Sequence, residues 1–495
     1  MKLVCAAPFC KSSPRKITRE SRSTPRERAG PHRHWRVSVF WCSIVLRGSG
    51  TKIMTGTEAP GAAADIAQPK AKVIGFWQCW AFSVGTMIGS GIFMMPAVLA
   101  PYGGLSFGGW LLTATGSILI ALAIGRLASR TTRNGGIPVY VESAIGGLPA
   151  FLVTWLYWTG CWTSNASLAI AFVGYFIVLA PGIGAEPIYQ ILVAIAAMWT
   201  ITLVSMRGTK DAGFVQLLLT VLKLSPLALI VGLALFTGKA ENLPEFNPTG
   251  EDPMKVLSIT ALATMYAFLG LEIGAVPAGN VRDPQRTGPR AVVIATITAA
   301  AVYIAATAAV MALVPAATLA QSTSPFADAA RGLGEWAPLL VTIGALISVA
   351  GALNGSIFVT GQVPMAAAID GQAPKILARL NRKEAPWVAL VFSAVLATIL
   401  LVMNYSRGLV GAYTFALTMA TLTTLVPYLV CGLIELKQSW RSAKGWALVG
   451  LVAAVYCVFA IWGSGLEVLG WCLVLALLGV PVYYLGRRKT RVVPA

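Results

Sequence analysis

Two ionisable side chains sit where the sequence offers them no water. Glu272 follows Phe268-Leu269-Gly270-Leu271, and Lys223 lies inside the apolar stretch from Gly213 to Thr237, about ten residues or roughly 15 Å from either end. At such a depth in a bilayer an unpaired charge costs on the order of a few kcal/mol, and the lysine stem is too short to snorkel fully. Both groups therefore demand an internal aqueous or polar site. A carboxyl in an apolar surround can exchange a proton near neutral pH, because desolvation disfavours its charged form. Glu272 is accordingly the candidate proton-coupling group. The structural alternative for both is that they fix helix packing through buried hydrogen bonds.

A third feature carries no charge. The run Val84-Gly85-Thr86-Met87-Ile88-Gly89-Ser90-Gly91-Ile92-Phe93 places three glycines and two small hydroxyl residues in one apolar stretch. Glycine is a poor helix interior residue, so Gly89-Ser90-Gly91 predicts an unwound segment. Unwinding exposes main-chain N–H groups, and at the start of the second half-helix those donors, aided by the dipole, would bind an anion such as a carboxylate. Close packing of small residues against another helix is the alternative. Near Glu272 the same punctuation returns, since Gly270 is followed seven residues later by Pro277 as Gly89 is by Pro96. This echo agrees with an inverted repeat that sets paired discontinuous helices around a midplane site. Carriage of a substrate, rather than chemistry on it, is then the expected function. Both histidines, His32 and His34, lie in a basic leader, and no Cys/His/Asp cluster has metal-ligand spacing, so neither hydrolysis nor a metal site is supported.

The elements that must position these residues follow from composition. Of 495 residues, 56% are hydrophobic and 12% charged, about half the charge of a typical soluble chain, which excludes a soluble enzyme. There is no Asp, Glu, Lys or Arg from Val73 to Gly125, from Ser143 to Ala185 or from Ala291 to Ala327. Cutting the apolar stretches at charges and at Pro/Gly punctuation predicts twelve spans, near 76–99, 106–128, 148–180, 187–206, 213–237, 254–278, 288–314, 336–366, 386–404, 408–433, 445–463 and 468–486. Near-continuous apolar runs without alternation are helices and not barrel strands. The expected fold class is an all-α polytopic membrane protein.

The net charge of +19 could suggest nucleic acid, but its distribution argues against that partner. Residues 1–53 hold 12 Lys/Arg against 2 acids in a Ser/Pro/Arg-rich stretch without apolar period, expected to be disordered. The domain expectation is thus a basic N-terminal region (1–70), a twelve-span transporter domain (71–490) and a tail (491–495). Two origins of residues 1–53 stay open: a true leader, or a gene-model extension with translation starting at Met54. From residue 54 on, alternate connections carry 21 Lys/Arg and the opposite set four, namely Lys239, Lys255, Arg331 and Arg407. Positive residues stay cytoplasmic, so both termini are expected there and the span count should be even. Of eight cysteines, five fall in apolar spans and three in the leader, a pattern that implies no disulfide framework.

Further motifs are Leu156-Tyr157-Trp158-Thr159-Gly160-Cys161-Trp162 with Asn165, Asn280-Val281-Arg282-Asp283-Pro284, Gly361-Gln362 leading to Asp370-Gly371, and Leu425-Val426-Pro427-Tyr428. With the Gly85–Phe93 and Phe268–Glu272 runs, these make residues 70–490 resemble the amino acid, polyamine and organocation permeases. Within them the sequence is most similar to the basic amino acid/polyamine antiporters of the arginine/agmatine type. The resemblance implies the leucine-transporter-like fold: two inverted five-helix repeats plus two extra helices, with helices 1 and 6 discontinuous, in the cell (inner) membrane. It implies an amino acid or polyamine substrate, protons as coupling partner, no cofactor and a homodimer as the candidate assembly.

The resemblance also implies roles. The substrate carboxylate would sit on the Ser90 and Gly91 amides and its amino group on carbonyls near Ile88 and Leu269. Thr86, Gly160, Cys161, Asn165 and Ser356 would line the side-chain end, and Tyr266 would gate the substrate. Glu272, with Tyr157 and Tyr428, would couple protonation to opening. Lys223 is more like another branch, where a lysine in span 5 tethers the break in span 1. The arginine/agmatine pattern has tryptophans where this chain has Tyr266 and Ser356, and Ser356 offers no ring for a cation–π contact of about 0.5–2 kcal/mol. The expectation is a proton-sensitive antiporter that exchanges a cationic amino acid for its amine. A proton-coupled neutral amino acid symporter is the alternative, with an ion channel or membrane enzyme disfavoured.

Overall fold

The computed structural model describes residues 75–130, 136–184, 186–207, 212–272 and 284–488. The basic segment 1–70, the tail 491–495, Pro277 and residues 280–283 lie outside the described residues. In chain order the helices are α1 (Phe76–Met87), α2 (Ser90–Leu99), α3 (Leu105–Ser129), α4 (Ile137–Ile145), α5 (Gly147–Leu179), α6 (Pro187–Met206), α7 (Ala212–Thr237) and α8 (Pro253–Met265). They continue with α9 (Pro284–Leu313), α10 (Ala316–Leu319), α11 (Pro325–Ala330), α12 (Trp336–Ile369), α13 (Trp387–Met403), α14 (Gly408–Ser439), α15 (Lys444–Trp462) and α16 (Gly465–Arg488). Among the described residues no strand occurs.

Among the described residues eight helices are long and apolar enough to cross a bilayer: α3, α5, α6, α9 from Arg286, α12, α14, α15 and α16 to Gly486. Each coincides with a stretch predicted from the charge-free runs. The pair α1 and α2, bent by 44°, makes a ninth if taken as one broken span. Three shorter apolar helices, Lys223–Thr237, Pro253–Phe268 and Trp387–Met403, overlap three further predicted stretches.

Local chemistry sets the helix starts. Proline stands at the first helical position of α6, α8 and α11, where its missing N–H has no intrahelical partner to lose. Asp252 caps α8, its carboxylate accepting from the Met254 amide at 3.1 Å.

Packing separates central helices from lipid-facing ones. α5 packs along both α12 and α14, and 67% of its most apolar window is buried, against 17% for α6 and 22% for α16. The outward faces of α6 and α16 are apolar, with Leu192, Leu203, Leu477 and Leu485 more than half exposed. In water such faces would aggregate, whereas in a bilayer they meet their own kind of solvent. The ends of α3 and α14 are tied by a buried charge pair. Arg130 donates to both oxygens of Glu435 at 2.6 and 2.9 Å, and to Gln438 and Ser439 at 2.6 and 2.9 Å. The Glu435 side chain is 0% exposed and that of Arg130 is 31% exposed.

Candidate functional site

The first break falls at Ile88 and Gly89, between α1 and α2. Ser90 and Gly91 are the first two residues of α2, so the unwinding expected over Gly89–Gly91 is centred one residue earlier. The amides of Ser90 and Gly91 occupy the turn where a helix leaves its N–H groups without intrahelical acceptors. Packing gives a separate reason for the small residue at 91: a Cβ there would lie 2.7 Å from the Ala267 Cα. Both expectations for this run, an interrupted helix and a close approach, are met in one segment.

The second break follows α8. A 3₁₀ turn over Tyr266–Phe268 leads into Leu269 in extended conformation and Gly270 at φ +90°, a left-handed value that a side chain would disfavour. The Thr86 hydroxyl lies 2.9 Å from the Ser83 carbonyl and 3.4 Å from the Gly270 carbonyl, so its single proton serves either one or is shared, and the contact to Gly270 bridges the two breaks. Two buried phenols brace their main chain: Tyr413 donates to the Ser90 carbonyl at 3.1 Å and Tyr303 to the Ala267 carbonyl at 3.0 Å. Thus the residues expected at the two ends of a zwitterionic ligand, Ile88, Ser90, Gly91 and Leu269, belong to one junction.

One stripe of α5 runs beside that junction. Tyr157, Cys161, Ser164 and Leu168 recur at helical spacing on a single face. Tyr157 donates to one Glu272 oxygen at 2.6 Å, and Tyr428 from α14 donates to the other at 2.6 Å. Glu272 is 3% exposed, and both its oxygens are engaged. Lys223 is 2% exposed and donates to the Gly85 carbonyl at 3.0 Å, one turn before the first break. The two intramembrane charges are therefore each bound to a neighbour on another element, one at each interrupted helix.

The expected side-chain end is only partly assembled as a pocket. Asn165 is 3% exposed and donates to Thr360 at 3.1 Å. Ser356, one turn before Thr360 on α12, lies 3.5 Å from the Cys161 carbonyl. Gly160 faces α14 instead, where a Cβ would meet Thr424 and the Ala420 carbonyl, so in this structure it is a helix-packing residue. Tyr266 is 6% exposed, and its hydroxyl lies 2.5 Å from Ser167 and 3.3 Å from both Ser90 and Ser164. Ser164, Ser167, Thr360, Tyr303 and Tyr413 were missed by sequence reasoning. Ser164 had a signal, its spacing from Tyr157 and Cys161, whereas Ser167 is spaced only from Ser164. Tyr413 had none, being 323 residues from its partner Ser90. Among the described residues no group of three or more His, Cys, Asp or Glu could hold a metal ion.

The family profile described as amino acid permease matches residues 74–482. A Bacillus subtilis protein named as an arginine/ornithine antiporter is 29% identical over 454 residues, 83% of this chain and 95% of the relative. A putrescine transporter of Haemophilus influenzae is 28% identical over 84% of this chain and 97% of its own length. A cadaverine/lysine antiporter of Escherichia coli is 29% identical over 83% of this chain and 95% of its own.

Proposed function

The chain belongs to the amino acid permease family, and on that premise we propose that it is a secondary active antiporter exchanging a cationic amino acid, arginine-like, for its amine or polyamine product by alternating access. The observation that carries this reading is the junction of two interrupted helices, where the helix start at Ser90 and Gly91 packs against the second break and the residue two beyond Gly270, Glu272, is a buried carboxylate held by two phenols. The relatives named above as antiporters of basic amino acids and polyamines support the substrate class. Nine candidate spans plus three short apolar helices fit twelve crossings, in two inverted five-helix repeats with two further helices. Both termini are then cytoplasmic, as the charge asymmetry of the connections requires.

In this reading the substrate carboxylate binds the Ser90 and Gly91 amides, and its amino group binds carbonyls at Ile88 and Leu269. Protonation of Glu272 weakens one of its two phenol contacts, because a carboxylic acid retains less acceptor capacity than a carboxylate. Release of Tyr157 or Tyr428 then loosens the second break from α5 or α14. A second reading, a proton-coupled symporter of neutral amino acids, is favoured by Lys223 on the Gly85 carbonyl and by Ser356 in place of a ring.

Proteoliposomes separate the two. Vesicles loaded with agmatine, cadaverine or putrescine are given labelled L-arginine or L-lysine outside. Uptake that requires the internal amine supports exchange. Accumulation of neutral amino acids driven solely by an acid-outside gradient, with no effect of internal amine, replaces it with symport.

A further inference from the structure

Four hydroxyls meet where the second break touches α5. The Tyr266 hydroxyl lies 2.5 Å from that of Ser167 and 3.3 Å from those of Ser164 and Ser90, and in each pair either oxygen can donate. With the Ser167 proton on the Ser164 carbonyl at 3.0 Å, an oxygen that can only accept, the phenol donates to Ser167 and accepts from Ser164 and Ser90. Three side chains thus hold one phenol: two from α5, and one from the first turn of α2.

Of these three, only Ser90 also stands at the amides of the helix start. A carboxylate arriving there finds the Ser90 hydroxyl as the neighbouring side-chain donor. Turning it to the ligand removes one of the phenol's three contacts, while the two on α5 remain. Resting on the transport reading above, we infer that Ser164 and Ser167 are positioning residues that keep Tyr266 fixed against α5 while Ser90 turns from the phenol to the substrate carboxylate. The ring, edge-on to Tyr413 at 6.2 Å, then stays over the α5 stripe through the binding step. Without the two serines the phenol moves with the ligand, and binding has to restrain it.

The test uses full-length protein and two independent measurements. Cys161 lies one turn before Ser164 and is partly exposed, whereas Cys79, Cys431, Cys457 and Cys472 are buried. With Cys5, Cys10 and Cys42 replaced by serine, N-ethylmaleimide and intact mass read release of the ring as faster addition of a single adduct. Tyr266→Phe and the double variant Ser164→Ala/Ser167→Ala should each speed that addition by at least about two- to tenfold, since each removes more than one hydrogen bond and a single one contributes a factor of that size. They should also raise the KM for L-arginine exchange by a similar factor with Vmax within about twofold, whereas Ser164→Thr keeps wild-type values. Adding the serine substitutions to Tyr266→Phe should change nothing further, since one network is removed once.

Alkylation rates of the serine variants equal to wild type would overturn the assignment. So would effects that multiply with Tyr266→Phe, or several adducts at once, the mark of general unfolding. Absence of L-arginine exchange in the unsubstituted protein would instead defeat the transport reading, while the alkylation rates still decide the role of the serines.

Discussion

A carboxylate surrounded by hydrocarbon needs donors, and Glu272 has one for each oxygen, from helices on either side of the break that carries it. Replacement by glutamine keeps the size and removes the titration. Glu272→Gln should flatten the pH dependence of exchange, and a variant whose profile tracks wild type would remove Glu272 from coupling. Lys223 poses the mirror problem, because Lys223→Met leaves the Gly85 carbonyl without that donor at the foot of the first break. Loss of one buried partner costs about 1–3 kcal/mol. The expected result is a lower melting temperature in detergent together with slower exchange, and an unchanged melting temperature would show that the lysine restrains nothing.

Helices here are joined at few but costly points. Because a Cβ at residue 91 would press on the Ala267 main chain, Gly91→Ala must separate the two breaks, an overpacking strain of about 1–3 kcal/mol. Exchange should fall while the protein still folds, so retention of wild-type uptake would mean that the breaks need not touch. The pair between α3 and α14 gives a second prediction. Arg130→Ala strands the buried Glu435 carboxylate, at a cost near the lower end of about 3–5 kcal/mol because Arg130 is 31% exposed. Replacing both residues by methionine should recover most of that loss in a thermal melt. Equal destabilisation by the single and double variants would mean that the pair is not what matters there.

At the scale of the molecule, the apolar faces of the helices suit a bilayer, and the charges of the connections predict which side each connection faces. Single cysteines at Lys239 and Lys383 test it: a membrane-impermeant maleimide applied to sealed right-side-out cells should label the first and spare the second. Labelling of both, or the reverse pattern, would break the alternation on which the twelve-span arrangement rests. Much of this level was legible beforehand. Charge-free runs located the eight helices long and apolar enough to cross, and glycines pointed to both interruptions, near Gly89 and at Gly270. Gly160 marks the limit of that reading: a Cβ there would meet α14, and a glycine that opens space and one that lets two helices touch look identical in sequence.

What the sequence by itself determined is local: which stretches prefer lipid to water, where a helix loses its regularity, and which two charges are left inside. Each depends on neighbouring residues through solvation and backbone freedom. Only the tertiary structure decided the partners. Glu272 meets phenols 115 and 156 residues away, Lys223 a carbonyl 138 residues away, and Tyr266 serines on a helix 99 and 102 residues earlier. Hydrogen bonds act over about 3 Å, so their pairing follows from how long helices pack against one another, which no short stretch of sequence records.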